Sequence, residues 1–211
     1  MRPRTVRLLD LGLHASFDAS MTFTEAVMKS INAGHDESSA FANVELVRIR
    51  DVDTVAQSIT APAHVLHIIA HTGESETPAF FSDDGETTFA LDELIDTAGR
   101  GVSAGALIAD ACATATTRWQ RAIRDYLYEP VTYIGTTASI GWHSATVFSS
   151  MFYGALFRNK GRDRTPQEAA MDAAERAISA YGALIDGKCP FRAVHLEPSR
   201  KALRRFRMSG T

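Results

Sequence analysis

Two short apolar runs constrain this chain more than any other feature: His64-Val-Leu-His-Ile-Ile-Ala-His71 and Ala106-Leu-Ile-Ala-Asp-Ala-Cys112. Each is nearly continuous in apolar residues, and each is followed by small or polar ones. Such a run reads as a strand buried on both faces, the condition of a parallel sheet covered by helices. In an open α/β sheet, ligands and chemistry collect at the carboxyl ends of the strands. Two adjacent strands of this kind would set the His71 imidazole and the Cys112 thiol at one edge, a base beside a nucleophile.

The rest of the chain supplies the helices that such strands need. Thr5-Val-Arg-Leu-Leu-Asp-Leu-Gly-Leu13 reads as a first strand. Thr22-Phe-Thr-Glu25 has the form of a capping box, opening a helix that Gly34 ends. Val44-Glu-Leu-Val-Arg-Ile-Arg50 alternates with period two, as a strand with one exposed face does. Residues 79–89 predict a small hairpin turning at Asp84-Gly85, and a short helix follows around Leu91–Ala98, closed by Gly99 and Gly101. Ala113-Thr-Ala-Thr-Thr117 predicts a helix start, continued by Trp119, Ala122, Ile123, Tyr126 and Leu127 at helical spacing. Val131-Thr-Tyr-Ile-Gly-Thr-Thr-Ala138 is a further strand, and Val147, Phe148, Met151, Phe152, Ala155 and Leu156 line one face of a helix. Thr165-Pro-Gln-Glu168 combines a capping box with proline at the first helical position. It opens a helix whose apolar face is Ala170, Ala173, Ala174, Ala177, Ile178 and Tyr181. Strands alternate with helices throughout, which predicts an α/β architecture with a mostly parallel sheet and helices on both faces.

No internal repeat, low-complexity stretch or linker divides the sequence, so residues 1–211 are expected to form a single domain. Arg200, Lys201, Arg204, Arg205 and Arg207 make a basic C-terminal tail, from about residue 198, that reads as a solvated, frayed end or as a docking patch for an acidic partner. A net charge of −3 gives no global case for nucleic acid or acidic lipid. No window approaches the ~18 apolar residues of a membrane helix. The basic start, Met1-Arg-Pro-Arg-Thr-Val-Arg7, lacks the apolar region of a signal peptide. Two cysteines are too few for a disulfide framework in 211 residues, so a reducing cytoplasm is expected.

Cys112 ends its apolar run just where a helix is expected. A thiol at a helix N-terminus is biased towards thiolate, and the backbone N–H groups there can hold an oxyanion. Cys189 precedes Pro190 in a loop-like segment and reads as structural. Among the histidines, His64 opens its strand at the wrong end and His67 lies mid-strand, where it reads as a core residue. His71 is at the carboxyl end, followed by Thr72 and by Gly73, whose freedom lets the backbone approach a substrate. His143 comes after the Val131 strand and behind Gly141-Trp142, and stands as a reserve base or a substrate contact. Phosphate-loop, dinucleotide-binding, C-x-x-C, H-E-x-x-H and nucleophile-elbow patterns are all missing.

The order of these motifs resembles the caspase-like cysteine peptidases of clan CD, most nearly the CHAT-domain group, from about Val44 to Leu184. HVLHIIAHTG is similar to the family's strand ending in His-Gly, and ALIADACATA to its strand ending in Ser-Ala-Cys. VTYIGTTASIGWHSATVFSSMFYGALF and RTPQEAAMDAAERAI are similar to its last core strand and closing helices. His71 and Cys112 lie 41 positions apart, against about 50 in caspases. The resemblance implies a three-layer α/β/α sandwich and a cysteine endopeptidase with a His71–Cys112 dyad. Its oxyanion donors would be the backbone N–H groups of Cys112 and of the Thr72-Gly73 turn; no metal or organic cofactor is implied. Thr72 stands where the family usually has glycine. Asp110, two residues before the cysteine, stands where CHAT proteins carry serine and where metacaspases and clostripain-like peptidases carry the aspartate that selects a basic residue; its other reading is a buried carboxylate bonded to local backbone. Trp142 and His143 are expected at the substrate. A protein or peptide substrate and an activating or regulatory protein partner follow, with no nucleic acid and no membrane, and by analogy a part in bacterial defence or regulated cell death. The alternatives are an inactive caspase-like scaffold or a small-molecule cysteine hydrolase.

Overall fold

The structure, a computed structural model, describes residues 4–33, 42–48, 50–72, 78–158, 164–185 and 187–207. Its centre is a six-stranded sheet: β1 (Arg4–Asp10), β2 (Ala42–Val47), β3 (Ala63–Ile69), β7 (Ala104–Asp110), β8 (Val131–Thr136) and β9 (Phe191–Leu196), in spatial order β2-β1-β3-β7-β8-β9. All neighbours are parallel except the last pair, where β9 runs against β8. A second, antiparallel sheet of three short strands follows β3: β4 (His71–Thr72), β5 (Ala79–Phe81) and β6 (Thr88–Ala90).

Helices cover both faces. On one side lie α2 (Val52–Thr60), α3 (Leu91–Ala98), α4 (Thr117–Tyr126) and α7 (Arg200–Arg207). On the other lie α1 (Ala15–Ile31), α5 (Trp142–Arg158) and α6 (Pro166–Leu184). The two apolar runs are therefore buried from Val65 to Ala70 and from Ala106 to Ala111, because alternate side chains enter opposite layers. Leu66, Ile68, Leu107 and Ala109 join the first core, and Val65, Ile69, Ala106 and Ile108 the second. Phe148 of α5 stacks on Phe191 of β9 with ring centroids 3.9 Å apart, closing the second core at the antiparallel edge. The expected α/β class and mostly parallel sheet are what the structure shows. No helix among the described residues is long and apolar enough to cross a membrane.

Several local expectations change. The Thr22–Glu25 box does not start a helix: α1 already begins at Ala15, and Glu25 reaches forward to Lys29 at 2.9 Å instead of back to Thr22. Gly34 lies outside the described residues. The Thr165–Glu168 box, by contrast, is complete, with Pro166 opening the helix. Gly99 closes α3 in the left-handed region, at φ 64°. The expected hairpin at residues 79–89 is β5–β6, with Gly85 at φ 69° in its turn. The His64–His71 run is not one strand, since β3 stops at Ile69 and His71 begins the second sheet. The basic tail is not a frayed end as far as Arg207: it is helix α7, with Ala202 and Phe206 buried and Lys201 3.6 Å from Asp125.

Candidate active site

Register brings the two apolar runs level. Ile69 pairs with Asp110 across β3 and β7, and the Ala70 N–H donates to the Asp110 carbonyl at 3.3 Å. His71 and Cys112 each lie two residues beyond that pair, so both reach the same carboxyl edge. They line one cleft of about 220 Å³, together with Asp83, Asp110 and Trp142. Across the seam between the two sheets, the Thr72 hydroxyl donates to the Cys112 carbonyl at 2.5 Å.

The helix expected at Ala113 starts later. Thr116 caps α4, whose first residue is Thr117. Between them the chain folds into a loop because threonines capture its carbonyls, a known competition with helix formation. Thr114 Oγ1 donates to the Ala109 carbonyl at 2.8 Å, Thr136 Oγ1 to that of Ala111 at 2.5 Å, and the Tyr133 hydroxyl to that of Thr114 at 2.8 Å. Ala113 takes φ 55°. Gly135 permits this loop to lie against β8, for a Cβ there would meet the Thr114 carbonyl carbon and the Ala115 nitrogen at 2.9 Å. Cys112 therefore does not sit at a helix N-terminus, and the α4 dipole is not what acts on its thiol. Its own N–H donates to none of the described residues.

His71 is held by a residue that the sequence did not single out. Its Nε2 lies 3.2 Å from Oδ1 of Asp83, in the hairpin turn, whose Oδ2 is 3.5 Å from Nε2 of His14. The Asp83 N–H donates to the Gly12 carbonyl at 2.7 Å, which ties the hairpin to the end of β1. The rings of His14 and His71 meet edge-on at 6.4 Å. Asp83 was hidden inside an Asp83-Asp84-Gly85 turn signature. The available signal for His14 was its place just past the first strand, at the same edge as His71.

Asp110 is 4% exposed, and its carboxylate accepts no hydrogen bond from the described residues. Its neighbour is His67, which is buried as expected, with Nε2 3.5 Å from Asp110 Oδ2. The reading of Asp110 as bonded to local backbone is not what the structure shows. Trp142, the first residue of α5, is half-exposed in the cleft wall. His143 is not among the lining residues, contrary to expectation; its Nε2 is 3.3 Å from the Ser144 hydroxyl on the exposed side of the helix. Gly73 lies outside the described residues. Cys189 is partly buried against the second core, and burial pushes its thiol above the usual value. His64, at the far end of β3, accepts a bond from the Thr5 N–H at 2.9 Å.

No protein-family model matches the chain, and no curated protein is similar enough in sequence to match it. Solved structures do match. A secreted C11 cysteine protease from Bacteroides thetaiotaomicron, in complex with an irreversible peptide inhibitor, superposes with TM-score 0.54 at 15% identity, covering 86% of this chain and 59% of that one. A second structure of a secreted C11 cysteine protease from that organism, iotapain, gives TM-score 0.52 at 10% identity, with 88% and 64% covered. The chain thus spans about three fifths of the length of those proteases. The expected nearness to the CHAT group is not shown by these structures. What the chain shares with the C11 proteases, at this identity, is the caspase-like fold.

Proposed function

We propose that the chain is a cysteine endopeptidase working through Cys112 and His71. The observation that carries this reading is the register of β3 and β7, which delivers a thiol and an imidazole to one cleft at the carboxyl edge of a caspase-like sheet. His71 takes the Cys112 proton, and the sulfur adds to the scissile carbonyl. The Cys112 N–H, which donates to none of the described residues, receives the negative charge on oxygen. The tetrahedral species collapses as His71 passes its proton to the leaving amine, and an acyl-enzyme remains. Water, deprotonated by His71, then releases the acid and restores the thiol. Asp83 keeps the imidazole oriented and stabilises it while it carries the extra proton, the part a carboxylate plays beside a catalytic histidine.

Asp110 gives the cleft its selectivity. A nearly buried carboxylate without hydrogen bonds needs a cation. The side chain just before the scissile bond supplies it, and arginine is favoured over lysine because its planar fork binds a carboxylate at two points. A reducing compartment keeps Cys112 free, and a protein partner governs access to the cleft.

A positional peptide library tests the reading. Cleavage after arginine, lost in Cys112→Ala and depressed more than tenfold in Asp110→Asn, is the expected result. Robust cleavage after leucine or aspartate with none after arginine would remove the assignment to Asp110. No cleavage of any peptide, in a chain whose Cys112 also resists alkylation, would remove the peptidase.

A further inference from the structure

Directly behind Asp110 lies a buried polar pair that bond cleavage does not use. His67 in β3 and Tyr153 in α5 are both 0% exposed. The Tyr153 hydroxyl lies 2.9 Å from His67 Nδ1. On the other side of the ring, Nε2 makes no hydrogen bond among the described residues and faces Asp110 Oδ2 at 3.5 Å. Packing does not call for a histidine here. Val65 and Ile69, on the same face of β3, join the apolar second core, and an aliphatic side chain at 67 would continue their pattern. An imidazole sunk there, with one nitrogen lacking a hydrogen bond, needs an explanation other than burial.

We propose that His67, locked by Tyr153, is a positioning residue for substrate selection: it presents Nε2–H to Asp110 and holds that carboxylate charged and aimed into the cleft for a guanidinium. The inference rests on the reading of Asp110 as the acceptor for a basic side chain.

Proton bookkeeping supports it. Burial, with the charge of Asp110 nearby, holds the Tyr153 hydroxyl well above its ordinary value, so it stays an O–H group. An O–H that donates to Nδ1 leaves the ring proton on Nε2, the atom that faces the carboxylate. Nε2 at 3.5 Å is too far for a good hydrogen bond, so it orients Asp110 without fully compensating the charge. Compensation is completed from the cleft side, by the substrate. The backbone of Asp110 is anchored independently, through its carbonyl and Ala70 N–H, so His67 acts on the side chain alone. In its absence the carboxylate loses the described partner behind it and is free to turn.

The experiment pairs two peptides that differ only in arginine or citrulline before the scissile bond, the second being nearly isosteric and uncharged. His67→Leu should lower the arginine-to-citrulline ratio of kcat/KM by about tenfold or more, chiefly through KM of the arginine peptide, while citrulline kinetics hold. His67→Gln, which keeps a side-chain N–H, should recover most of the ratio. Tyr153→Phe should lower it severalfold. Independently of activity, nitrogen-15 NMR of His67 in Cys112→Ala should show Nδ1 unprotonated and Nε2 protonated. If His67→Leu does not fold, Tyr153→Phe and the NMR signature decide. The proposal is overturned if the parent chain prefers arginine, Asp110→Asn erases that preference, and the His67 and Tyr153 variants leave it intact; a proton on Nδ1 also overturns it. A parent chain indifferent to arginine would instead overturn the basic-residue reading of Asp110, and this proposal with it.

Discussion

Cys112 and Cys189 are chemically alike and placed for opposite fates. Cys112 lines the cleft, whereas Cys189 packs partly buried against the second core, where burial raises its thiol above the usual value. Iodoacetamide at neutral pH should therefore modify Cys112 well before Cys189, as peptide mass mapping of the labelled chain will read; equal rates would remove Cys112 as nucleophile. At His71, losing the proton carrier should cost about 10²–10⁴-fold in kcat/KM. His71→Ala should show this, and His143→Ala, outside the lining, should stay near the parent value. Asp83→Asn keeps the shape and removes the charge that steadies the imidazole. An intermediate loss, falling on kcat rather than KM, is expected from steady-state kinetics, and an unchanged kcat would dismiss Asp83.

At the scale of elements, the strand ends matter more than the strands. The Ala113–Thr116 segment should be a helix by its own composition, yet Thr114, Thr136 and Tyr133 fold it into a loop against Gly135. Gly135→Ala puts a Cβ against the backbone of Thr114 and Ala115. Overpacking of this kind costs about 1–3 kcal/mol. A lower Tm together with reduced kcat is expected, because the displaced loop carries Cys112 at its start; a variant with parental Tm and kcat would show that the loop is not held there. This explains what was legible in the sequence. Apolar runs and the capping box at Thr165 marked strands and helices directly, and the ends of two runs marked His71 and Cys112. The loop after Cys112 was not legible because hydroxyls from another strand decide it. Asp83 was not legible either, since a turn of the second sheet brings it to His71; for His14 the one signal was its place just past the first strand.

For the molecule as a whole, several buried and half-buried ion pairs sit at the carboxyl edge of the sheet. Asp10, wholly buried at the end of β1, pairs with Arg48 at 3.1 Å and accepts from the Leu13 N–H at 2.9 Å. Burial, against these bonds, raises its carboxyl above the usual 3.8. A raised folded value means stability that is present below the unfolded value and lost as pH rises through the folded one. Asp10→Asn should therefore flatten the fall in stability as pH climbs above about 4, measured by urea unfolding across pH; an unchanged slope would place the pH dependence elsewhere. Arg50, 2.8 Å from Asp84, ties the hairpin to the end of β2. The proposed base lies in β4 of the second sheet and the proposed nucleophile in the loop just beyond β7 of the main sheet, joined where Thr72 meets the Cys112 carbonyl. The proposed pair is thus divided between two sheets, like the blades of a pair of shears with Thr72 near the pivot. On the proposed function, a wedge in that joint would stop cleavage without resembling any peptide, since misplacing a reacting group by about 1 Å can cost 10²-fold in rate.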